Sequence, residues 1–460
     1  MSIYYKSLMV LLWTLIRFGG NSYLMLDNEF HIKSTANATL ISIISPVFKG
    51  HSSQQESEHS LQELKELLRT LNIKYKNTHI QTKKEISPAT VIGKGKLLEI
   101  TQEAKDNNSD LLVFDFELTA SQVRNIKEVT GLSVIDRCHV ILEIFAGHAR
   151  TKEAKIQIEI ARLEYILPRL SGFWTHFSRQ KGGIGVRGGE GEQQIELDRR
   201  IVRERIEFLK RDLKTVLKTR QEQKKKRQNM AITAALVGYT NAGKSSVMNR
   251  LCKVNVLEED KLFATLDSTF RTLNPDTRPP MILIDTVGLI QNLPAQLING
   301  FKTTLESMLE ADLLIIVCDI SDPHYKKHLE VTQHILKDLK ADDKNQLIVF
   351  NKKDLLNDPL MSKVIQRSHP GSFVINSFDV SDIDNLRKHI IDYFLAKQMC
   401  YDLFIPYHDG PAHSIVNSKT NIINSRPHEN GIFYQIRVPE FMYQMLSLQN
   451  YELAPKDSKG

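Results

Sequence analysis

Residues 234–251 read AALVGYTNAGKSSVMNRL, and this stretch decides the fold of the region around it. Its apolar start, residues 234–237, predicts a short buried strand, and its end is compatible with a helix. Between them, residues 238–245 match GxxxxGKS in the strand, loop and helix order that a phosphate-binding loop requires. Backbone N–H groups of such a loop surround phosphates, Lys244 reaches the β and γ oxygens, and the Ser245 hydroxyl ligates magnesium. The stretch therefore predicts an α/β nucleotide-binding domain that uses Mg²⁺.

Two further motifs follow apolar runs later in the chain. Residues 281–284 lead into Asp285-Thr286-Val287-Gly288, a DxxG that begins 40 residues after Ser245. In such a motif the Asp holds magnesium through water and the Gly N–H meets the γ-phosphate. Residues 346–350 lead into Asn351-Lys352-Lys353-Asp354, an NKxD at a predicted strand end. The ordered set predicts a complete nucleotide site rather than an isolated motif match.

The NKxD motif decides which base is bound. The Asp354 carboxylate accepts hydrogen bonds from both a ring N–H and the exocyclic amine of guanine, whereas adenine offers neither hydrogen there. The wrong base would bury this carboxylate without hydrogen-bond partners, which costs free energy. Discrimination of about 10⁴ in favour of guanine over adenine is therefore expected. The sequence therefore predicts GTP as the substrate.

The segment between the first two motifs contains a candidate switch. Residues 263–267 read FATLD in a loop-like region. A mobile threonine that closes on magnesium only when the γ-phosphate is present makes an on/off switch. Thr265 is preferred over Thr269 for this role, on its spacing and on the family resemblance described below.

The part of the chain before the nucleotide motifs predicts a small α/β domain followed by two helices. From Ala38 strand-like and helix-like segments alternate, with LLVFDF at 111–116 and SVIDR at 133–137. Two apolar series then step by 4, 3, 4, 3, the spacing of helices that pack on each other: Ile156, Ile160, Leu163, Leu167 and Leu170, then Val202, Ile206, Leu209, Leu213 and Val216. We expect two antiparallel helices joined by an exposed, glycine-rich tip from Ser171 to about Gly191.

The predicted tip and the second helix are unusually basic. Residues 165–189 carry cations without an acid, interleaved with aromatic side chains: Arg169, Arg179, Lys181 and Arg187, with Phe173, Trp174 and Phe177. Residues 199–227 hold 13 Lys or Arg against four acids, so this stretch carries +9, more than the whole chain's +7. Basic, stacking and flexible residues together suit RNA. The alternative is an ordinary solvated helix face.

Composition limits the remaining possibilities. A chain of 460 residues with 41% hydrophobic and 25% charged residues predicts several globular domains, and it excludes collagen-like, wholly disordered and polytopic membrane proteins. Its four cysteines form no CxxC pair, which argues against structural zinc and fits a reducing compartment. Residues 8–16, LMVLLWTLI, are too few to span a membrane. We expect a cytoplasmic protein with no stable membrane association and with Met25 as a plausible start, although an anchor at residues 8–16 remains an alternative.

These motifs resemble one family in particular. GYTNAGKS, FATLD, DTVG and NKKD, preceded by GGIGVRGGEGEQQIELDRR and ARTKEAKIQIEIARLEYILPRL, are similar to the HflX-type GTPases, translation-factor-class enzymes. The resemblance runs from about Ala38 to about Leu446. It implies a protein that binds the large ribosomal subunit and its rRNA through the arm, and that splits or rescues ribosomes, often under stress. It also implies GTP hydrolysis with Mg²⁺, and we expect a monomer when the protein is free.

The resemblance implies a set of nucleotide contacts. In the phosphate loop they are Gly238, Tyr239, Thr240, Asn241, Ala242, Gly243, Lys244 and Ser245. In the switch they are Phe263, Ala264, Thr265, Leu266 and Asp267. Later in the chain they are Asp285, Thr286, Val287, Gly288, Asn351, Lys352, Lys353, Asp354 and Ser377. Magnesium would bind Ser245 and Thr265, and Lys244, Thr265 and Gly288 would act in catalysis.

The chain departs from the family pattern at a few positions. The hairpin reads RGGEGEQQIE where RGPGETQLE is usual, His148 replaces a usual Arg, and Ser377-Phe378 stands where Ser-Ala is usual. After Gly288, Ras-like enzymes place a water-orienting glutamine, but this chain has Leu289, which predicts slow intrinsic hydrolysis. Asn241 either seats a monovalent cation such as K⁺, as in related GTPases, or bonds its own loop.

The predicted architecture is an α/β multidomain protein. It comprises an extension at residues 1–36 that is disordered or artefactual, an N-terminal α/β domain at 37–150, and the antiparallel two-helix arm at 151–229. A Ras-like P-loop G domain at 230–397 and a small α+β C-terminal domain at 398–460 follow. Three alternatives stay open: a P-loop ATPase or kinase, an RNA-binding ribosome-assembly factor with a structural GTP site, and a membrane-attached GTPase.

Overall fold

The computed structural model describes residue 32 and residues 36–45, 53–170, 189–228, 231–252, 269–274, 278–286, 288–290, 308–341, 343–356 and 358–452. The predictions for residues 8–16, for 263–267 with Thr265, for Val287 and for the basic loop at 171–188 lie outside these ranges. Among the described residues the chain divides into two compact units after Thr215, and each unit is described by itself.

The first unit contains a four-stranded parallel sheet in the order β2-β1-β3-β4. Its strands are β1 (Asn37–Ile44), β2 (Lys74–Thr82), β3 (Leu111–Phe114) and β4 (Ser133–Asp136). Its helices are α1 (Gln54–Thr70), α2 (Lys94–Asp106), α3 (Ala120–Thr130) and α4 (Arg137–His148). The apolar strands β1 and β3 are central and buried, as expected for parallel strands. The polar strand β2 lies at the edge, and its composition gave no strand signal.

Two long helices follow, α5 (Lys152–Ile166) and α6 (Gly189–Gln228). Of the predicted apolar series, Ile156, Ile160 and Leu163 are buried in the first helix, and Val202, Ile206 and Leu209 in the second. Salt bridges join the helices, including Lys152 to Asp212 at 2.9 Å and Arg205 to Glu159 at 2.8 Å. The predicted pairing of two helices is confirmed, and part of the second helix's positive charge is neutralised by the first.

Two predictions about the tip are wrong. Arg169 is buried, because its guanidinium donates to the Tyr165 and Leu118 carbonyl oxygens and lies 3.5 Å from the Asp136 carboxylate. It therefore belongs to the interior of the first unit and not to a basic tip. Gly189 and Gly191 belong to α6 rather than to the connection. A glycine costs a helix only about 1 kcal/mol, and acidic residues near a helix N-terminus offset that cost.

The second unit contains a six-stranded sheet in the order β10-β9-β8-β5-β7-β6, with only β6 antiparallel to its neighbour. Its strands are β5 (Ile232–Gly238), β6 (Thr269–Asn274), β7 (Met281–Asp285), β8 (Leu313–Asp319), β9 (Gln346–Asn351) and β10 (Phe373–Val374). Its helices are α7 (Lys244–Leu251), α8 (Tyr325–Asp338), α9 (Pro359–Ser368) and α10 (Val380–Ala396). The carboxyl ends of the parallel strands meet at one edge, where ligands bind in such sheets.

The same unit ends in a three-stranded antiparallel sheet in the order β11-β13-β12. Its strands are β11 (Met399–Pro406), β12 (Asn421–His428) and β13 (Gly431–Val438), and its helices are α11 (Gly410–Lys419) and α12 (Glu440–Met445). One face of the sheet is buried in an apolar cluster with side chains of both helices. The architecture is the predicted α/β multidomain fold with an α+β segment at its end.

In the parts of the chain that the structure describes, no helix has both the length and the apolar composition that a membrane span requires.

Candidate nucleotide-binding site

The GxxxxGKS loop connects β5 to α7 and requires glycine at two positions. A Cβ on Gly238 would lie 2.1 Å from the Val317 carbonyl oxygen of the neighbouring strand. Gly243 has φ +86°, which L side chains rarely adopt, and a Cβ there would lie 2.3 Å from Asn351 Nδ2. Both glycines therefore allow the loop to pack directly against the next strands of the sheet.

Lys244 begins α7 with its amine inside the loop. Its Nζ donates to the carbonyl oxygens of Gly238 at 3.1 Å and Tyr239 at 2.8 Å. The side chain is buried, and burial lowers the pKa of the ammonium to about 8, although the nearby Asp285 carboxylate opposes this shift. The structure thus places a partly desolvated cation at the centre of the loop, where phosphate oxygens would bind.

Ser245 and Asp285 form the part of the site that suits a divalent cation. The Ser245 hydroxyl donates to Asp285 Oδ2 at 2.7 Å, which joins the first and second motifs as the sequence predicts. A hydroxyl and a carboxylate side by side are the hard oxygen ligands that Mg²⁺ prefers. The neighbouring Thr286 hydroxyl donates to the Leu236 carbonyl oxygen at 2.6 Å, so its side chain faces β5 and leaves its backbone for a ligand.

The end of the DxxG motif packs on the phosphate loop. The Leu289 N–H donates to the Gly238 carbonyl oxygen at 3.0 Å, and the Thr240 N–H donates to the Leu289 carbonyl oxygen at 2.8 Å. A Cβ on Gly288 would lie 2.8 Å from Thr240 Cγ2 and 3.2 Å from Lys244 Nζ. Leu289 is itself buried, with its side chain in the core. This segment therefore contacts the phosphate loop directly. Its Leu289 side chain has no polar group that could orient a water.

The base-reading motif is tied to the phosphate loop by Asn351. Its Nδ2 donates to the Ala242 carbonyl oxygen at 3.1 Å, and its Oδ1 accepts from the Ser377 N–H at 3.2 Å. The side chain is buried and joins three loops of the site. The Asp354 carboxylate lies exposed on the short 3₁₀ turn Lys353–Leu355. The carboxylate predicted to be buried is therefore exposed, and only a bound base would bury it.

Two acidic residues that sequence analysis missed hold the lysines of this motif. Lys352 has φ +65°, and its Nζ lies 2.7 Å from Asp319 Oδ2 at the end of β8. Lys353 Nζ donates to Asp382 Oδ1 at 2.7 Å, and Asp382 Oδ2 accepts from the Asn376 N–H at 2.7 Å. Asp319 follows an apolar run and could have been found as another strand end, whereas Asp382 carries no sequence signal. Both acidic residues therefore hold the NKxD segment that carries Asp354.

Phe378, a departure from the family pattern, and Asn241, a predicted site residue, lie at the rim. Phe378 is 63% exposed beside Ser377, with the Arg250 guanidinium 5.3 Å from its ring. Its N–H donates to Asn376 Oδ1 at 2.9 Å. Asn241 is exposed in the left-handed region at φ +58°. Neither position is buried by the described residues, so both are accessible to a ligand.

Binding of GTP should weaken as the pH rises above about 8. Bound phosphates favour the ammonium form of Lys244, so above its pKa of about 8 binding must take up a proton. The Kd should be constant well below that pH and rise up to about tenfold per pH unit above it. Calorimetry from about pH 7 to about pH 9 checks this, with Lys244→Arg as control because arginine stays charged. A wild-type Kd that follows the control across this range would contradict the assignment.

Comparison with known proteins agrees with this geometry. Residues 58–146 match the family model described as GTP-binding GTPase N-terminal, and residues 148–227 match the GTP-binding GTPase Middle Region. Residues 233–352 match the model described as 50S ribosome-binding GTPase. Together the three matches cover α5, all of α6 except its last residue, and every motif of the phosphate and base site except the loop at Ser377 and the last residues of NKxD.

Relatives that match over most of the chain are also found. The chain is 39% identical to a GTPase HflX of Alkalihalophilus pseudofirmus over 383 residues, which is 83% of this chain and 89% of the relative. It is 44% identical to a GTPase HflX of Flavobacterium psychrophilum over 322 residues, or 70% and 77% of the two chains. The chain is therefore a GTP hydrolase that belongs to the HflX family of GTPases.

Proposed function

We propose that the protein binds GTP with Mg²⁺ at this site and, in the GTP-bound state, docks on the large ribosomal subunit and its rRNA. Hydrolysis to GDP and phosphate ends the docked state, and the cycle splits or rescues ribosomes. The observation that carries the proposal is the pair of hydrogen bonds made by Asn351, which join the phosphate loop at Ala242 to the loop of Ser377. Phosphate recognition and base recognition thereby belong to one site.

The roles of the site residues follow from their positions. We assign the phosphates to the N–H groups of the loop and to Lys244, and the guanine edge to Asp354 and the backbone at Ser377. Magnesium would be held by Ser245 and, through water, by Asp285, with Thr265 completing the set when the γ-phosphate is present. Bound magnesium neutralises charge that develops on the phosphates during transfer. Gly288, which already lies against Thr240, would close on the γ-phosphate through its N–H.

Nucleotide binding and ribosome binding are assigned to different domains. We propose a G domain at residues 230–397 whose GTP cycle controls when the arm at 151–229 binds the ribosome. The arm follows the N-terminal domain at 37–150 in the chain. The C-terminal domain at 398–460 follows, and residues 1–36 form an extension. The exposed cations of α6, among them Arg200, Arg203 and Lys214, give the arm a positive surface that suits the rRNA backbone.

Hydrolysis by the protein alone should be slow and should accelerate when large ribosomal subunits are added. Leu289 is buried and cannot orient the attacking water. Contact with the ribosomal surface must therefore order the switch segments that position this water. We expect an increase of at least about tenfold in phosphate release, measured with and without purified subunits. Equal turnover in both samples would overturn the proposal.

The same assay in potassium and sodium chloride tests whether a monovalent cation binds at Asn241. Equal rates in the two salts would rule out that cation.

Neutralising the predicted tip should weaken ribosome association in a salt-dependent way. We expect replacement of Arg179, Lys181 and Arg187 by Gln to lower the slope of log affinity against log salt by about 2 to 3, because each lost phosphate contact contributes about one. Affinity for GTP should be unchanged. A control with the same charge loss replaces exposed lysines outside the arm: Lys326, Lys337 and Lys363. Equal slopes for the two variants would show that the tip does not contact rRNA.

A further inference from the structure

The C-terminal sheet buries only one of its two faces. Side chains alternate along each strand, and Leu403, Ile405, Tyr434, Ile436 and Val438 all lie on the buried face, in the cluster with the helices. The residues between them form the opposite face. In the cross-strand pairing these are Cys400, Asp402 and Phe404 of β11; Gly431, Phe433, Gln435 and Arg437 of β13; and Asn421, Asn424, Arg426 and His428 of β12. We call this set the open face.

Three aromatic rings lie together on the open face. Phe404 and Phe433 are directly paired across β11 and β13, with ring centroids 4.8 Å apart. The His428 ring lies 5.8 Å from Phe404 and 5.3 Å from Phe433. A Cβ on Gly431 would lie 2.9 Å from Phe404 Cζ, so the absence of a side chain there leaves room for the ring. The sheet thus holds two phenyl rings in place, and both side chains are half-buried, so part of each ring remains accessible.

The groups around the rings are polar and mainly positive. Arg426 is directly opposite Phe433, and Arg437 is opposite Cys400 and Asn421. The row between them contributes the amides of Asn424 and Gln435 and one carboxylate, Asp402. Among the described residues neither Arg426 nor Arg437 forms a salt bridge. Both guanidinium groups are therefore available to an anionic partner.

We propose that the open face binds a single-stranded segment of RNA. Phe404 and Phe433 would stack on two unpaired bases, Arg426 and Arg437 would contact the flanking phosphates, and the amides would meet base edges or 2′-hydroxyls. A paired duplex would hide the base faces that the rings need. The core of a protein interface is poor in charged residues, whereas here Arg426, Arg437 and Asp402 surround the two rings. The open face is a second RNA contact, separate from the arm.

The test measures binding of a short, unstructured, fluorescein-labelled oligoribonucleotide to the full chain by anisotropy. Arg179, Lys181 and Arg187 are replaced by Gln in every sample, so that the tip does not contribute. In this background we expect Phe433→Ala to weaken binding about tenfold and the pair Phe404→Ala with Phe433→Ala to weaken it further. Phe433→Tyr should restore binding because it restores the ring. Phe441→Ala removes an exposed phenylalanine of α12, outside the open face, and should have no effect.

A second readout needs no substitution of the open face. Of the four cysteines, all within the described ranges, Cys400 alone is exposed, and it belongs to the open face. Burial raises the pKa of Cys252 to about 11 and of Cys318 to about 12, so maleimide should modify Cys400 selectively. Bound oligoribonucleotide should slow that modification several-fold.

The proposal is overturned if the oligoribonucleotide binds the double Ala variant as tightly as its parent, or if it leaves Cys400 unprotected. Loss of large-subunit association in the double variant with unchanged oligoribonucleotide affinity would also overturn it and would point to a protein partner. Affinity for GTP, measured on each variant, should be unchanged. An unchanged GTP affinity would show that the variants affect the open face and not the nucleotide site.

Discussion

Replacement of Asp354 by asparagine is expected to lower the affinity for GTP by about 10³- to 10⁴-fold. In our assignment the carboxylate would accept two hydrogen bonds from the guanine edge, whereas the asparagine amide would direct an N–H donor at the exocyclic amine. Xanthine carries a carbonyl at that position, so the same variant should gain affinity for xanthosine triphosphate. Because Asp354 is exposed on its turn, the substitution should leave the fold intact.

Competition of unlabelled nucleotides against a fluorescent GTP analogue measures both changes. The matched control is Asp392→Asn, which removes an exposed carboxylate further along α10 and should bind GTP normally. If the Asp354 variant kept its preference for GTP over xanthosine triphosphate, another group would have to read the base. The assignment of NKxD as the guanine-reading motif would then be wrong.

Replacement of Lys244 by alanine should lower the affinity for GTP by about 10³-fold and abolish measurable hydrolysis. The buried amine is the cation of the loop centre, and charge-assisted hydrogen bonds to phosphate contribute about 1.5 to 3 kcal/mol each. Among the described residues the amine donates to two carbonyl oxygens of its own loop, those of Gly238 and Tyr239. Most of the loss should therefore appear in binding rather than in stability.

Equilibrium binding of a fluorescent GTP analogue and phosphate release measure this effect. Lys337→Ala, which removes an exposed cation of α8, is the control for lost charge and should behave as the wild type. An unchanged Kd for the Lys244 variant would place the phosphates elsewhere, whereas a lowered melting temperature alone would assign the lysine a structural role.

The central part of the site was predictable because local motifs coincide with a general rule of topology. Residues 238–245, Asp285 and Asn351 each follow an apolar run, and parallel strands bring their carboxyl ends to one edge. Sequence spacing could not show that Asn351 bridges two loops or that Asp382 holds Lys353. Those contacts join residues far apart in the chain, and only the packed sheet defines them.

The wrong predictions have a similar origin. Arg169 was counted as a surface charge, but it follows the end of α5 and folds back over the Tyr165 ring, with its guanidinium 3.6 Å from the ring centroid. A charge count takes no account of a buried partner such as Asp136. The polar strand β2 was missed because an edge strand needs little apolar character when its neighbour β1 is buried at every position between its two ends.

Cosedimentation with purified large ribosomal subunits tests the central claim most directly, that bound GTP controls docking. The protein should pellet with subunits in the presence of a non-hydrolysable GTP analogue and remain in the supernatant with GDP or with the matching ATP analogue. Equal pelleting in all three nucleotides, or none with the GTP analogue, would contradict the account.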